Sequence, residues 1–243
     1  MRIALIGRTR WLVDAGEALH RAGHDIVAVA TAKEEPFYRC GPDDFAALAA
    51  RIGADFHGVV SLADLAVRDR LSAAQADLAV SINWPVVVGA EVINLFPRGI
   101  VNVHCGDLPR YRGNACPNWA ILNGEERIGV CVHMMDASTV DSGPIVLRDY
   151  LLLASDTYIG DVYAWLNCRI PAILAEAISG LAQGLLTPAP QPQDATLALR
   201  CYPRRPEDGR IDWRESVLAI DRLVRASSRP FFGAFATLED GRR

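Results

Sequence analysis

The most informative absences in this sequence concern cysteine pairs and long apolar runs. Its six cysteines are scattered along the chain and form no C-x-x-C pair, a usage that fits a reducing compartment. No segment reaches the ~20 consecutive apolar residues that a membrane-spanning helix needs, and no signal-like segment precedes the first predicted strand. We therefore expect a cytoplasmic protein that does not insert into a membrane.

Basic residues are also fewer than acidic residues. Lys and Arg number 25 against 29 Asp and Glu, which gives a formal net charge of −4 and a pI near 5.7. This balance gives no overall basic character, so binding of nucleic acid would need a local basic patch that the totals do not show, and a small-molecule partner is favoured. With 51% hydrophobic and 22% charged residues, the composition is that of an ordinary globular protein.

Apolar periodicity predicts an α/β fold. RIALIG at 2–7 is typical of a buried strand, a helical pattern follows it, and IVAVAT at 26–31 predicts the next strand. Such a β-α-β opening is typical of a parallel sheet with helices on its faces. Further strands are predicted at 77–82, 100–104, 129–135 and 144–153. We expect a Rossmann-like, mostly parallel sheet with helices on both faces.

The second half of the chain contains a long helix, a linker and a small module. An amphipathic pattern from Thr157 to Leu185 predicts one helix, which Pro171 should bend or split. TPAPQPQD at 187–194 predicts an extended linker, and RIDW after it is strand-like. The predicted division is a main domain over 1–188, a linker over 189–200 and a small α+β or barrel-like module over 201–243.

Two polar residues, Asn102 and His104, interrupt the apolar strand at 100–104. Residues two apart on a strand point to the same side, so both share one face, whereas Cys105 alternates to the other. His104 comes at the carboxyl end of the strand, where open α/β sheets place their ligands. From the residues alone, His104 is equally well explained as a structural histidine with a hydrogen bond at the strand end.

Other chemical motifs are incomplete. Gly7-Arg8-Thr9 follows the first strand but lacks the three-glycine fingerprint, so we expect no nicotinamide cofactor. Arg8 could reach an anionic group of a substrate, or be an exposed arginine without a specific role. The remaining histidines have no metal-ligand spacing, so we expect no metal site, and His133 is interpreted as packed within the sheet with one hydrogen bond. No G-x-S-x-G motif is present.

An ordered set of motifs resembles the folate-dependent formyltransferases. The set comprises Asn102-Val103-His104, Leu108-Pro109-Arg110-Tyr111-Arg112-Gly113, Pro117, Trp119-Ala120-Ile121-Leu122, Gly124, Gly129-Val130 and Asp141-Ser142-Gly143. The segment at 76–99 is similar to the family's folate-lining segment. RRPEDGRIDW and RASSRPFFGAF are similar to the carboxyl-terminal subdomain of the methionyl-tRNA enzymes and of the enzymes acting on nucleotide-linked amino sugars.

The resemblance implies a reaction and a set of site residues. It implies 10-formyltetrahydrofolate as donor of a formyl group to a primary amine, with Asn102, His104 and Asp141 as catalytic residues. Asn102 would donate to the formyl oxygen, His104 would stabilise that oxygen and shuttle the proton of the amine, and Asp141 would orient His104 or a water. The predicted donor-binding residues are Trp84, Pro85, Val86, Val88, Asp136, Ala137, Ser138 and Asp141. Taken without the resemblance, Asp136 is interpreted as a local turn cap.

Several departures from the family pattern bear on the acceptor. Gly106-Asp107 stands where the family has Ser-Leu, and the charge of Asp107 could favour a cationic amine. The loop before Pro117 is one residue longer, and loops of this kind carry specificity. The sequence leaves open whether the Leu108-Pro109 bond is cis. The predicted acceptor-binding residues are Arg8, Thr9, Asp107, Tyr111, Arg112 and Asn114.

The acceptor that we expect is a nucleotide-linked amino sugar destined for a surface polysaccharide such as lipopolysaccharide. The negative charge and the short carboxyl-terminal module both disfavour tRNA. Methionyl-tRNA, glycinamide ribonucleotide and an amino-acid or peptide precursor remain alternatives, as does a folate-binding module without activity. The linker and the small module could supply a homodimer interface.

Overall fold

A computed structural model describes residues 1–35, 38, 40–192 and 194–238. The strands are β1 (Arg2–Gly7), β2 (Asp25–Thr31), β3 (Asp55–Gly58), β4 (Leu78–Ile82), β5 (Ile100–His104), β6 (Tyr111–Gly113), β7 (Arg127–Met134), β8 (Ile145–Leu152) and β9 (Leu199–Cys201). The helices are α1 (Arg10–Arg21), α2 (Pro42–Ile52), α3 (Leu65–Ala73), α4 (Ala90–Ile93), α5 (Cys116–Asn123), α6 (Ile159–Ala182) and α7 (Val217–Ser227). Short 3₁₀ turns lie at Ala195–Leu197 and Pro206–Gly209.

The seven-stranded sheet has the order β3-β2-β1-β4-β5-β7-β8. The pairs from β3 to β5 are parallel, and β7 pairs antiparallel with β5. Antiparallel strands at one side of a parallel sheet are common in α/β proteins. The predicted Rossmann-like, mostly parallel sheet is therefore confirmed.

Alternating residues of β1 show why helices cover both faces of the sheet. Ala4 and Ile6 belong to a buried cluster that includes Leu71 of α3. Leu5 points the other way, toward α1, where a Cβ on Gly16 would lie only 2.6 Å from Leu5 Cδ1. Because β1 is apolar on both sides, it is buried by a layer of helices on each face.

The chain divides into two compact units. The first comprises residues 1–104, 131–148 and 168–191, and it contains β1 to β5 and the pairing of β5 with β7. The second comprises 105–130, 149–167 and the residues from 192 onward, and it contains α5, α7 and the parallel pair β6-β9. The predicted division at 188 and 200 stays a prediction, and Gln193 and 239–243 lie outside the described residues.

Helix α6 is continuous through Pro171, so the helix is not split there, and the bend that the sequence offered as the other outcome stays a prediction. A proline in a helix interior removes one backbone hydrogen bond and adds a local clash, at a cost of about 3 kcal/mol. Ile170, Ile173 and Leu174 flank the proline and are fully buried. Each such side chain stabilises by about 1.5–3 kcal/mol, so burial outweighs the local cost.

The carboxyl-terminal segment contains less strand than its pattern indicated. RIDW forms a single bridge, between Arg210 and Phe235, and Trp213 is exposed. Asp212 accepts hydrogen bonds from the backbone N–H and the guanidinium of Arg214, so a local turn replaces the predicted strand.

The Leu108-Pro109 bond, left open by the sequence, is cis. Among the described residues no helix is both long and apolar enough to cross a membrane.

Candidate active site

A row of polar side chains crosses three neighbouring strands in register. Ser81 of β4 lies opposite Asn102 of β5, and Asn102 lies opposite His133 of β7. Residues directly opposite each other in a sheet share a face, so the three side chains point to the same side as His104. Val101 and Val103 occupy the other face and are buried. The predicted pairing of Asn102 and His104 on one face thus extends to Ser81 and His133.

The carboxylate of Asp141 lies between two imidazoles. Its Oδ2 is 3.5 Å from Nδ1 of His104 and its Oδ1 is 3.7 Å from Nε2 of His133. The side chain of Asp141 is 12% exposed, that of His104 is 7% exposed and that of His133 is 3% exposed. The two rings are nearly perpendicular, with centroids 6.4 Å apart. One carboxylate therefore faces two imidazole rings.

The loop between β7 and β8 brings Asp141 to this face. Met134 N donates to Pro144 O at 2.8 Å and closes the loop. A Cβ on Gly143 would lie 1.9 Å from Met134 O, so only glycine permits this approach. Asp141 itself has φ +56°, in the left-handed region that non-glycine residues seldom adopt. The loop is thus held in one unusual conformation that presents the carboxylate.

The hydrogen bonds of His133 define its tautomer. Its Nδ1 lies 2.8 Å from Met134 O, which can only accept, so we assign the proton to Nδ1. Nε2 of the neutral ring then accepts from the Asn102 amide, whose Nδ2 is 3.1 Å away. The interpretation of His133 as a packed histidine with one hydrogen bond was wrong, because both ring nitrogens are engaged. An amide NH₂ has two donors, and His133 takes one of them.

The segment predicted to line the donor follows β4. Trp84 packs, half-buried, against the same apolar cluster as Met135 of the β7–β8 loop. Pro85 is exposed and Val88 is buried. Val86 and the adjacent Val87 are 65% and 66% exposed. The predicted role of this segment in donor binding stays a prediction.

The other predicted donor-binding residues lie in the β7–β8 loop. Asp136 Oδ1 accepts from both the backbone N–H and the hydroxyl of Ser138, at 2.7 and 2.6 Å. These bonds hold the pKa of Asp136 below its usual value. The turn cap that the sequence predicted is confirmed. Ala137 lies between the two and is exposed.

Arg8 and Thr9, predicted to bind the acceptor, follow β1. The Arg8 guanidinium is almost buried and donates to Glu35 Oε1 at 3.0 Å and to Lys33 O at 3.1 Å. Its charge already faces a carboxylate, which favours a structural role. Thr9 has φ +90°, and its buried hydroxyl has no hydrogen-bond partner in the described ranges.

Tyr111, another predicted acceptor residue, is buried in the second unit. Its hydroxyl donates to Glu125 Oε1 at 2.6 Å and accepts from Asn123 Nδ2 at 3.1 Å. Arg110 donates to the same Glu125 oxygen at 2.7 Å. Burial, and then the bond to Glu125, raises the pKa of Tyr111 to about 12. This environment favours a structural role for the phenol, and its predicted part in acceptor binding stays a prediction.

Asp107 is engaged in a similar way. Its Oδ1 accepts from the Tyr150 hydroxyl at 3.0 Å, and its Oδ2 lies 3.4 Å from Arg127 Nη2. The Arg127 guanidinium lies 4.1 Å from the centre of the Tyr150 ring, a cation–π arrangement. The carboxylate is therefore already compensated, and its contacts favour a structural role over recognition of a cationic amine.

The last two predicted acceptor residues lie beside the β6-β9 pair. Arg112 is half-buried and stands opposite Arg200 in the register. Asn114 is exposed, and its backbone N–H donates to Cys201 O at 3.1 Å. Their roles stay predictions.

Across the described ranges, no group of three or more His, Cys, Asp and Glu side chains has an arrangement suited to a metal ion.

Sequence reasoning missed two residues of this site. His133 carried a partial signal, because strand alternation places it on the same face as Cys131, but its position opposite Asn102 depends on the register of the antiparallel pair. Gln191, in the predicted linker, donates to the backbone of the Asp141 loop. Its only local signal is the Pro-Gln-Pro context, which does not indicate a partner 50 residues away.

Comparisons with known proteins identify the family of this chain. A family model described as formyl transferase matches residues 1–178, and one described as formyl transferase, C-terminal domain, matches 204–243. The chain is 36% identical to a methionyl-tRNA formyltransferase of Anaeromyxobacter dehalogenans, over 98% of this chain and 76% of that protein. It is 31% identical to that of Ruegeria pomeroyi, over 98% and 78%.

A solved structure shares the fold. A sugar N-formyltransferase from a Shewanella species superposes with a TM-score of 0.74 at 15% identity, covering 99% of this chain and 94% of that one. At this identity the likeness shows the fold alone, whereas the family models and the relatives above 30% identity show the family. The chain belongs to the formyl transferase family and is an enzyme that transfers a formyl group from formyl-tetrahydrofolate.

Proposed function

We propose that this enzyme formylates a primary amine with Asn102, His104 and Asp141 as its catalytic residues, and that the amine belongs to a nucleotide-linked amino sugar. The observation that carries the catalytic assignment is the placement of Asp141 beside both His104 and His133. Attack of an amine on a formyl carbon creates negative charge on oxygen and a proton that must leave the nitrogen. The cluster contains a group for each task.

Asn102 would stabilise the developing oxyanion. One N–H of its amide is taken by His133, which fixes the orientation of the second. A donor that is oriented before the reaction needs no reorganisation when charge develops, and a single such donor contributes about 2.7–4 kcal/mol to the barrier. Asn102 is only half-buried, so a substrate can approach it.

His104 would accept the proton of the attacking amine. Asp141 lies on its Nδ1 side, which favours the tautomer with the proton on Nδ1 and makes Nε2 the basic nitrogen. The imidazolium formed at that moment is stabilised by the neighbouring carboxylate. Return of the same proton to the folate nitrogen that loses the formyl group would complete the transfer. His104 would therefore serve first as base and then as acid.

The surroundings of the cluster suit a bound donor. The Ser81 hydroxyl, next to Asn102 in the register, is fully buried and has no hydrogen-bond partner within the described part of the chain. Such orphaned groups call for a ligand or a water. The exposed Val86 and Val87 provide apolar surface for the pterin, while the backbone of the Asn83–Gly89 loop provides polar groups.

The charge of the chain disfavours tRNA as the acceptor. The formal net charge is −4, whereas binding of tRNA depends on Lys and Arg that neutralise phosphates. Arginines of the second unit are partly paired with acids: Arg214 with Asp212, and Arg225 with Asp221. Each such pair reduces the positive charge available to a nucleic acid.

Methionyl-tRNA is the second candidate acceptor. The observation that favours it is the 31–36% identity to methionyl-tRNA formyltransferases over 98% of this chain. Identity in the donor site and the catalytic cluster is expected for both acceptors, so it does not by itself select the tRNA.

The test is turnover with 10-formyltetrahydrofolate against a panel of amines. The panel contains nucleotide-linked 3-amino and 4-amino sugars, methionyl-tRNA, glycinamide ribonucleotide, and free amino acids. We expect formylation of an amino sugar, detected as a mass increase of the nucleotide sugar. Formylation of methionyl-tRNA alone would replace the proposed acceptor, and donor binding without any product would leave a folate-binding module.

A further inference from the structure

The conformation of Asp141 needs support from outside its own loop. A left-handed backbone at a non-glycine residue is unfavourable and persists only where the surroundings hold it. Within the loop, Ser142 Oγ donates to Thr139 O at 2.8 Å. The carbonyl of Asp141 itself accepts a hydrogen bond from a distant segment of the chain.

That segment contributes Gln191. Its Nε2 donates to Asp141 O at 2.9 Å and to Gly143 O at 2.8 Å. Both N–H groups of one amide are thus used on the two carbonyls that flank Ser142. Gln191 is only 4% exposed, so these bonds form away from solvent, where losing them leaves buried acceptors unsatisfied.

The sequence around Gln191 restricts where its side chain can lie. Pro190 and Pro192 flank it, and a residue before proline is confined to extended conformations. Two residues earlier, Ala189 exchanges both backbone hydrogen bonds with Ile145, each at 2.8 Å. Ile145 follows the Asp141 loop directly, so the segment is attached to the end of that loop.

We propose that Gln191 is a positioning residue for formyl transfer, which holds the Asp141 carboxylate in place between His104 and His133. The inference rests on the proposed role of Asp141. Gln191 does not touch the reacting atoms; it acts through the loop backbone. Small displacements of a catalytic group lower the rate with little effect on binding, so kcat is the quantity that Gln191 should control.

The experiment compares Gln191→Met with Gln183→Met in the full-length chain. Methionine keeps the length of glutamine but donates no hydrogen bond, and Gln183 is exposed. With 10-formyltetrahydrofolate and the amine that the wild type formylates, we expect kcat of Gln191→Met to fall by about 10-fold to 100-fold. KM for both substrates should stay within about 3-fold. Gln183→Met should match the wild type.

Amide hydrogen exchange of residues 136–144 provides the second readout. We expect faster exchange there in Gln191→Met, and also in Gln191→Asn, whose amide is one methylene too short to reach both carbonyls; this second variant covers the case in which the first does not fold. Faster exchange with unchanged kcat, or no change in either, would overturn the positioning role. If Asp141→Asn keeps wild-type turnover, the proposed function fails instead. The exchange rates of the loop then still show whether Gln191 holds its backbone in place.

Discussion

Two aspartates of this enzyme, Asp141 and Asp107, have similar burial but opposite surroundings. Asp141 faces two imidazoles, at 3.5 and 3.7 Å. Asp107 faces the guanidinium of Arg127 and the hydroxyl of Tyr150. Asp141 belongs to the first compact unit and Asp107 to the second, and the partners named here lie in the same unit as their aspartate.

The difference between the two lies in what their partners can do with a proton. A guanidinium keeps its proton at every pH that proteins tolerate, and the hydroxyl of a tyrosine releases its own near pH 10. An imidazole gains and loses its proton near neutral pH. The Asp141 cluster can therefore take part in proton transfer, whereas the contacts of Asp107 favour a structural role.

The largest expected effect concerns the base of the Asp141 cluster. His104→Ala removes the group proposed to accept the proton of the amine, and a positioned acid–base group contributes typically about 10²–10⁴-fold. We expect kcat to fall by that factor in steady-state assays. His20→Ala, an exposed histidine of α1, is the matched control and should keep wild-type turnover. Equal activities of the two variants would contradict the role of His104.

Asn102→Ala should have the next largest effect. It removes the amide proposed to donate to the formyl oxygen, so kcat should fall by about 10²–10³-fold. The midpoint of urea unfolding should change little, because Asn102 is half-buried and its partner His133 keeps the bond to Met134 O. Asn94→Ala, on the surface after α4, is the control. Near wild-type turnover of Asn102→Ala would remove Asn102 from the mechanism.

A smaller effect, on stability alone, is expected in the second unit. Tyr111→Phe deletes the hydroxyl bonded to Glu125, and a hydrogen bond to a charged group is worth about 1.5–3 kcal/mol. We expect the free energy of unfolding in urea at pH 8 to drop by about that amount, with kcat unchanged. A loss of kcat at full stability would restore Tyr111 as a substrate residue.

The same substitution predicts a change in pH dependence. The pKa of Tyr111 is raised to about 12 in the folded state, above its usual value near 10. Between those values the folded state binds more protons than the unfolded state, so the contribution of Tyr111 to stability is complete below about pH 10 and is lost toward pH 12. Unfolding between pH 9 and 11 should therefore show a shallower decline for Tyr111→Phe than for the wild type.

The sequence could predict those features that depend on local periodicity. Strand alternation predicts Asn102 and His104 on one face, and apolar runs predict the mostly parallel sheet. The role of Pro171 could not be judged locally, because the burial of Ile170, Ile173 and Leu174 decides it. Propensity yields to tertiary packing at such positions.

Long-range partners lay beyond what periodicity can show. Asp141 is 37 positions after His104 in the chain, and its assignment depended on resemblance to a family. His133 joins the site through the register of an antiparallel pair, which the sequence does not specify. Conversely, Tyr111 was predicted as a substrate residue from a motif, whereas its hydrogen bond to Glu125 favours a structural role.

The most direct test of the account applies one substitution to both aspartates. Asp141→Asn and Asp107→Asn each remove a single charge at nearly constant volume, and single-turnover formyl transfer from 10-formyltetrahydrofolate is measured for both. We predict a loss on the order of 100-fold or more for Asp141→Asn and a change within about 3-fold for Asp107→Asn. Wild-type transfer by Asp141→Asn, with a large loss in Asp107→Asn, would contradict the account.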